Sequence, residues 1–488
     1  VCEPVVLGSS VFAASSRTDT LFALDAATGL EKWRFCSDGP IRLAPAAWRD
    51  RVFVASDDGF LYALKAETGE CLWRFRGGPD GRRVLGNGRL VSAWPMRGGP
   101  VVADGIVYAA AGIWPFMGVF VYALDAEDGS VVWRNDRLGM RYTDQPHGGA
   151  DAFGGPAPQG ALVLAGDRLL VPCGRSVPAC LDARTGRLLY YHLSGTTYLR
   201  AHGRPNRKLE GGSYVSAAGD VFVNRRGLAT TLYDLETGQA YRMWKGGHQP
   251  VLTADTLWLG GDGLQILALN ERRRAPYTAT VKRKGREETV TRHRWDIPVR
   301  RNVPGERCET LIRAGSRLYA GGEGRIRCVA AGSTGQADSA RSVSVPGTVA
   351  ALAAAHGRLF ASTLDGKILA FSGDGGEDEP VRHLRQAAGG LPETDVRPSR
   401  LSRAALALDR GWCLLYGMTG PDAAEEVLTA TELRIAGICT QPDVVARLRD
   451  HFAERGLYGD RISIHQGGPA DFRAPPYLAV LTVADVEA

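Results

Sequence analysis

The segment RYTDQPHGGADAFGGPAPQG sets Tyr142, Asp144, Gln145, His147 and Asp151 among glycines, a group able to meet a metal ion or a polar ligand. One histidine with scattered carboxylates lacks metal-ligand spacing, so turn formation and solvation compete with that reading and no metal site is expected. Arg42 and Arg97 carry planar guanidinium forks suited to carboxylate or phosphate, although each could instead pair with a nearby Asp or carbonyl. Gln159 and His248 complete the polar ligand-binding candidates. No convincing nucleophile or acid–base pair is present, so no catalytic residue is assigned.

The elements that must position these groups are written in an internal repeat. LFALDAATGLEKWRF returns as LYALKAETGECLWRF, VYALDAEDGSVVWRN, CLDARTGRLLYYH and LYDLETGQAYRMW. The period from Trp33 to Trp73 is 40 residues, which suits a four-stranded propeller blade. In each copy Asp-x-x-Thr-Gly is turn chemistry: Asp25 can bond back to the following backbone and Gly29 supplies a positive φ. The closing aromatic, Trp33, Trp73, Trp133 or Tyr190, can lie over the neighbouring blade and is read as structural docking.

These copies resemble the repeats of the pyrroloquinoline-quinone (PQQ) dehydrogenase and BamB-like propeller superfamily, whose docking motif is Ala-x-Asp-x-x-x-Gly-x-x-x-Trp. Ala23, Asp25, Gly29 and Trp33 match it, as do Ala123, Asp125, Gly129 and Trp133; Lys65 replaces the Asp in the second copy. Upstream strands SSVFAAS, DRVFVAS, GIVYAAA, DRLLVPC, DVFVNRR, DTLWLGG, SRLYAGG and GRLFAST bring the count to eight. Pro4, Pro45, Pro100 and Pro250 fall at one register and could cap inner strands. Three residues further back lie the positions expected to face the channel mouth, including Arg42, Arg97, Gln159, Gly211, Gly247, Cys308 and Val349; His248 adjoins Gly247. Arg42 and Arg97 are thus expected on adjacent blades as an anion-binding funnel. Cys173 and Cys180 flank one hairpin, where pairing between them stays open. VKRKGREETVTRHR reads as a charged, solvated hairpin turning at Lys284-Gly285.

After Ser372 the chain becomes rich in Gly, Pro and charge, then alternates strand and helix, implying parallel βαβ units. From Arg410 onward it resembles the first half of a Rossmann-like S-adenosylmethionine-dependent methyltransferase. That resemblance implies a cofactor site at Gly417, Gly420, Cys439 and Asp471. The site is degenerate, because Cys439 stands where an acid should grip the ribose and a thiol cannot accept two hydroxyl hydrogen bonds. The expected fold is mainly β: an eight-bladed PQQ-repeat β-propeller over 1–372, a linker over 373–404 and a partial methyltransferase-like α/β half-domain over 405–488.

The net charge of +6 is small for this length and no aromatic-interleaved basic patch appears, so nucleic acid is not indicated. No membrane-spanning segment is seen, and a chain that starts VCEPVV and stops after four α/β strands reads as cut from a longer protein. The resemblance implies an extracytoplasmic, periplasmic location. The expected function is a non-catalytic propeller scaffold that binds a protein, polymer or anionic ligand at its funnel, with a vestigial methyltransferase-like appendage and no assigned cofactor. Two alternatives stand beside it. One is a PQQ-dependent oxidoreductase, which needs calcium-binding carboxylates and an Asp base; the other is a sensor or methyltransferase fusion that binds S-adenosylmethionine (SAM) or a nucleotide.

Overall fold

Each of the eight upstream segments forms a strand in the computed structural model: Ser10–Ser15, Arg51–Ala55, Ile106–Ala111, Arg168–Cys173, Val221–Arg226, Thr256–Ala268, Arg317–Gly321 and Arg358–Thr363. The structure describes residues 3–144, 151–174, 176–192, 211–227, 229–246, 249–283, 286–332, 341–373, 383, 408 and 410–484. The chain is mainly β, and most of these strands sit inside four-stranded antiparallel meanders. Pro45 and Pro250 directly precede Ala46–Trp48 and Val251–Leu252, while Pro100 lies where the Gly98–Ala103 strand shifts register, positions that tolerate a missing N–H.

Two compact units emerge from the contacts. One comprises Val1–Val6 and Arg97–Gly375; the other joins Leu7–Met96 to Gly376–Ala488. In the first, Arg341–Ala355 runs as the last strand of one meander, paired with Glu323–Ala330, and continues as the first strand of the next, paired with Arg358–Thr363. The charged hairpin is present there as Arg273–Arg283 against Arg286–Asp296, closing at Arg283↔Arg286; residues 284–285 lie outside the described residues. Cys173 and Cys180 are both free and buried. The ladder sets Cys173 opposite Ser176 and Cys180 opposite Leu170, so the hairpin register rules out their pairing.

In the second unit the C-terminal segment forms β1 (Trp412–Tyr416), α1 (Asp422–Ala430), β2 (Arg434–Cys439), α2 (Pro442–Glu454), β3 (Ile462–Gln466) and β4 (Ala479–Ala484). The four strands are parallel in the order β3-β2-β1-β4. One face of the sheet packs on the apolar stripes of both helices, with Phe452 and Leu448 in the core. The other face buries Leu414, Ala436 and Ile438 with Phe472 and with Leu90 from the Arg89–Ser92 strand. Of the expected linker 373–404, only residues 373 and 383 lie among the described residues; His383 meets the Thr28 carbonyl at 2.8 Å.

Candidate functional site: docking rows, funnel positions and a buried charge cluster

The repeat's small residue is the centre of a three-strand row. Phe12, Ala23 and Trp33 lie side by side, and so do Phe53, Ala63 and Trp73, then Tyr108, Ala123 and Trp133, then Leu170, Cys180 and Tyr190. A small middle residue lets the flanking rings approach: centroids are 5.7, 5.8 and 6.0 Å apart in the first three rows. The closing ring then reaches the following repeat. Trp33 donates its indole N–H to the Ala66 carbonyl at 3.1 Å, Trp133 donates to Ala183 at 2.9 Å, and the Tyr190 hydroxyl donates to Leu235 at 2.7 Å. The ring lies on the Thr-Gly turn there. A Cβ added to Gly69 or Gly186 would come within 2.6 or 2.4 Å of the tryptophan, and both glycines have positive φ (77° and 70°).

One docking residue escaped the motif. Trp258 comes from the second strand of its meander, not the last, yet donates to the Ala331 carbonyl at 3.2 Å as Trp33 does to Ala66. In that repeat Arg301 stands opposite Ile266, at the register of the usual closing aromatic, so the ring is supplied from a neighbouring strand. The signal was a tryptophan at a position that carries Phe, Tyr, Leu or Val in the other copies.

The funnel candidates are divided between the two units. Arg42 makes a 2.6 Å ion pair with the buried Asp57, the competing reading of its guanidinium. Arg97 belongs to the other unit, where its carbonyl accepts from Gly160 N–H at 3.0 Å. Gln159 is exposed and bridges to Cys173, with its N–H on the Pro172 carbonyl at 2.9 Å. Cys308 and Val349 are buried. A Cβ on Gly211 would fall 1.5 Å from the Ser176 carbonyl, so that glycine serves close backbone approach. Asp151 pairs across a short ladder with Asp144, whereas His147 and His248 lie outside the described residues.

At the C-terminal positions, Gly417 takes φ 78° after β1 and donates its N–H to Ile438 at 3.0 Å, while no atom stands within 4 Å of where a Cβ of Gly420 would lie. Cys439 is 3% exposed, with its thiol 3.6 Å from the Gln441 carbonyl. Asp471 is exposed and its N–H meets the Gly468 carbonyl at 3.1 Å.

The densest electrostatic feature was invisible in the motifs. Within the second unit, buried Asp19 pairs with Arg89, and Asp38 pairs with Arg449 of α2 and stands 3.9 Å from Arg83. Burial pushes the Asp19 carboxyl up to about 7, against the pull of Arg89 and Arg449. Burial and the charge of Asp38 push Asp58 up to about 6; its carboxylate also accepts from the Tyr62 hydroxyl at 2.6 Å. Burial works to raise Asp38 too, but Arg449 and Arg83 hold it below the usual carboxylate range. Burial and then Arg83 hold His465 well below the usual imidazole range, and it contacts Ser463 Oγ at 2.9 Å. Arg449 also donates to the carbonyls of Cys36 and Ile464. These groups tie the parallel sheet to the first two meanders, and their burial gives them a structural role.

Rings from one repeat docked on the glycine turn of the next define a propeller of PQQ-like repeats. The family model described as outer membrane protein assembly factor BamB matches residues 2–94 and 86–276, and the chain belongs to that family. Among curated proteins, the dehydrogenase subunit of alcohol dehydrogenase (quinone) from Gluconacetobacter polyoxogenes is 32% identical over 144 residues, 27% of this chain and 19% of that protein. Tetrathionate hydrolase from Acidithiobacillus ferrooxidans is 25% identical over 242 residues, 48% of this chain and 42% of that protein. The chain thus spans well under half the length of these relatives. The solved quinohemoprotein alcohol dehydrogenase ADHIIG from Pseudomonas putida HK5 superposes with a TM-score of 0.48 at 14% identity, covering 84% of this chain and 79% of that one.

The relatives correct the functional expectation. A non-catalytic scaffold acting through its funnel gives way to the oxidoreductase alternative, because the stretch at 32% identity comes from a quinone-dependent alcohol dehydrogenase. None of the relatives named here is a methyltransferase, so that resemblance gains no support from them.

Proposed function

We propose that this chain is the propeller of a quinone-dependent oxidoreductase whose substrate is an alcohol. The observation that carries this reading is the similarity to the alcohol dehydrogenase (quinone) subunit. The docking rows support it by supplying a rigid scaffold of the matching repeat type. PQQ with a calcium ion is the cofactor pair this class implies. The described residues do not fit a calcium seat, since among them no group of three or more His, Cys, Asp or Glu side chains is arranged to hold a metal ion. No chemical step is therefore assigned to a residue.

Eight blades within 1–372, with a linker over 373–404, fit the eight strands found at the repeat register. A Rossmann-like half-domain over 405–488 fits the strand order β3-β2-β1-β4, the order of a doubly wound dinucleotide-binding half. An extracytoplasmic site of action, and a protein partner, accord with the family's description as an outer membrane assembly factor. Among the described residues no helix is long and apolar enough to cross a membrane.

The test is to incubate the purified chain with PQQ and calcium, separate bound from free quinone by gel filtration, and follow alcohol-dependent reduction of an artificial electron acceptor. Saturable bound absorbance with ethanol-dependent dye reduction is expected. Absence of bound quinone at high micromolar concentration overturns the reading, and breakdown of tetrathionate without any electron acceptor would redirect it to a hydrolase.

A further inference from the structure

We propose that the groove beside Arg341 binds a small aromatic carboxylate, the ring occupying the place that a docking tryptophan takes in other repeats. This site is separate from the quinone reading above and does not rest on it.

The argument begins with register. Tyr319, Cys328 and Arg341 form the same three-strand row as Phe12, Ala23 and Trp33, so Arg341 stands where the closing aromatic belongs. One residue of the receiving turn has a counterpart among the described residues. Trp33 seats on the turn around Ala66, and the corresponding residue of the next meander is Gly373, two positions beyond Phe371. Between them lies an open groove of about 500 Å³. Tyr319, Ile326, Val343, Leu359 and Phe371 supply its apolar surface. That volume lies within the range of small-molecule sites.

Charge selects among rings. Arg341, Arg358 and His356 line the groove, and among the described residues no Asp or Glu does. A guanidinium at the rim favours a carboxylate on the ring and disfavours an ammonium. The neighbouring sequence does not provide the ring itself: residues 332–340 and 374–411 contain no Phe, Tyr or Trp. A partner tryptophan would seat the same way but would bring a chain across the turn at His356-Gly357. The polar rim of Arg341, Ser342 and Arg358 suits a free carboxylate better.

The probe is indole-3-acetate, measured against indole and tryptamine by calorimetry and saturation-transfer NMR on the whole chain. Indole-3-acetate is expected to bind at least about tenfold more tightly than either, the size of one charge-assisted hydrogen bond. Arg341→Ala should abolish that preference while leaving the melting temperature nearly unchanged. Arg341→Trp should fill the groove in cis, raise the melting temperature by a few degrees and eliminate probe binding. Equal affinities for the three probes, no saturable binding at millimolar concentration, or binding that survives Arg341→Trp each overturns the proposal. Should Arg341→Trp fail to fold, the Arg341→Ala comparison decides alone.

Discussion

Asp19 holds its proton differently in the folded and unfolded chain. Burial raises the folded pKa to about 7, whereas the unfolded carboxyl titrates near its ordinary 3.8. For an acid with a raised folded pKa, the stabilisation is full below the unfolded value and is lost as pH climbs to the folded one. Asp19→Asn removes this dependence while His465 and Asp38 stay in both proteins. The stability of the parent relative to D19N is therefore expected to fall between about pH 4 and about pH 7, with a slope of at most about 1.4 kcal/mol per pH unit. Paired urea titrations across that range measure it, and a flat difference would show that Arg89 keeps Asp19 ionised. At Cys439 the buried thiol faces a carbonyl in place of a ribose, so millimolar SAM is expected to leave the melting temperature unchanged; an upward shift would revive that site. Neither the Asp19–Arg89 pair nor the Asp38–Arg449 pair could be read from the sequence, because the partners of the second lie 411 positions apart and a lone Asp carries no mark of burial.

At the scale of the element, the lock between ring and glycine turn makes a quantitative claim. Trp133→Ala is expected to cost about 3–5 kcal/mol, as for truncation of other packed large aromatics. Gly186→Ala should cost about 2–4 kcal/mol, combining the positive φ with the clash against that indole. The two are coupled: once Trp133 is an alanine, Gly186→Ala keeps only its backbone strain, and a double-mutant cycle should give an interaction of about 1 kcal/mol or more. Strict additivity would show that the ring does not rest on the turn. This layer was the most legible in the sequence, since the turn residues, the small residue and the aromatic all sit at fixed offsets. Legibility failed where the ring left its offset. Trp258 docks from another strand, and Arg341 holds the docking register without a ring, so only the ladder shows either.

For the whole molecule, the composition shift after Ser372 suggested a separate appendage, while the contacts join Gly376–Ala488 to Leu7–Met96 in one compact unit. Composition marks where a chain changes character; it says little about which surfaces are later buried together. Leu90 packs in the apolar layer under β1 and β2, and Arg434 donates to the Gly88 carbonyl at 2.8 Å. Removing Gly376–Ala488 would expose that layer and leave Asp38 without Arg449. Hydrogen exchange on the shortened chain is therefore expected to show lost protection across Leu7–Met96 and retained protection across Arg97–Gly375. Uniform retention would mean the first two meanders stand without the α/β segment.

The docking rows also bear on how such a chain can change over generations. Each lock is split between two repeats, the ring encoded in one and its glycine seat in the next, as with Trp133 and Gly186. The indole's hydrogen-bond partner and its glycine seat both come from the next repeat and not from the connection, which here includes the ladder of Arg141–Asp144 with Asp151–Gly154. Insertions there leave that hydrogen bond and that seat encoded intact. An exchange of whole repeats, by contrast, must carry matching halves on both sides, except at a row such as that of Arg341, where the docking register holds no ring.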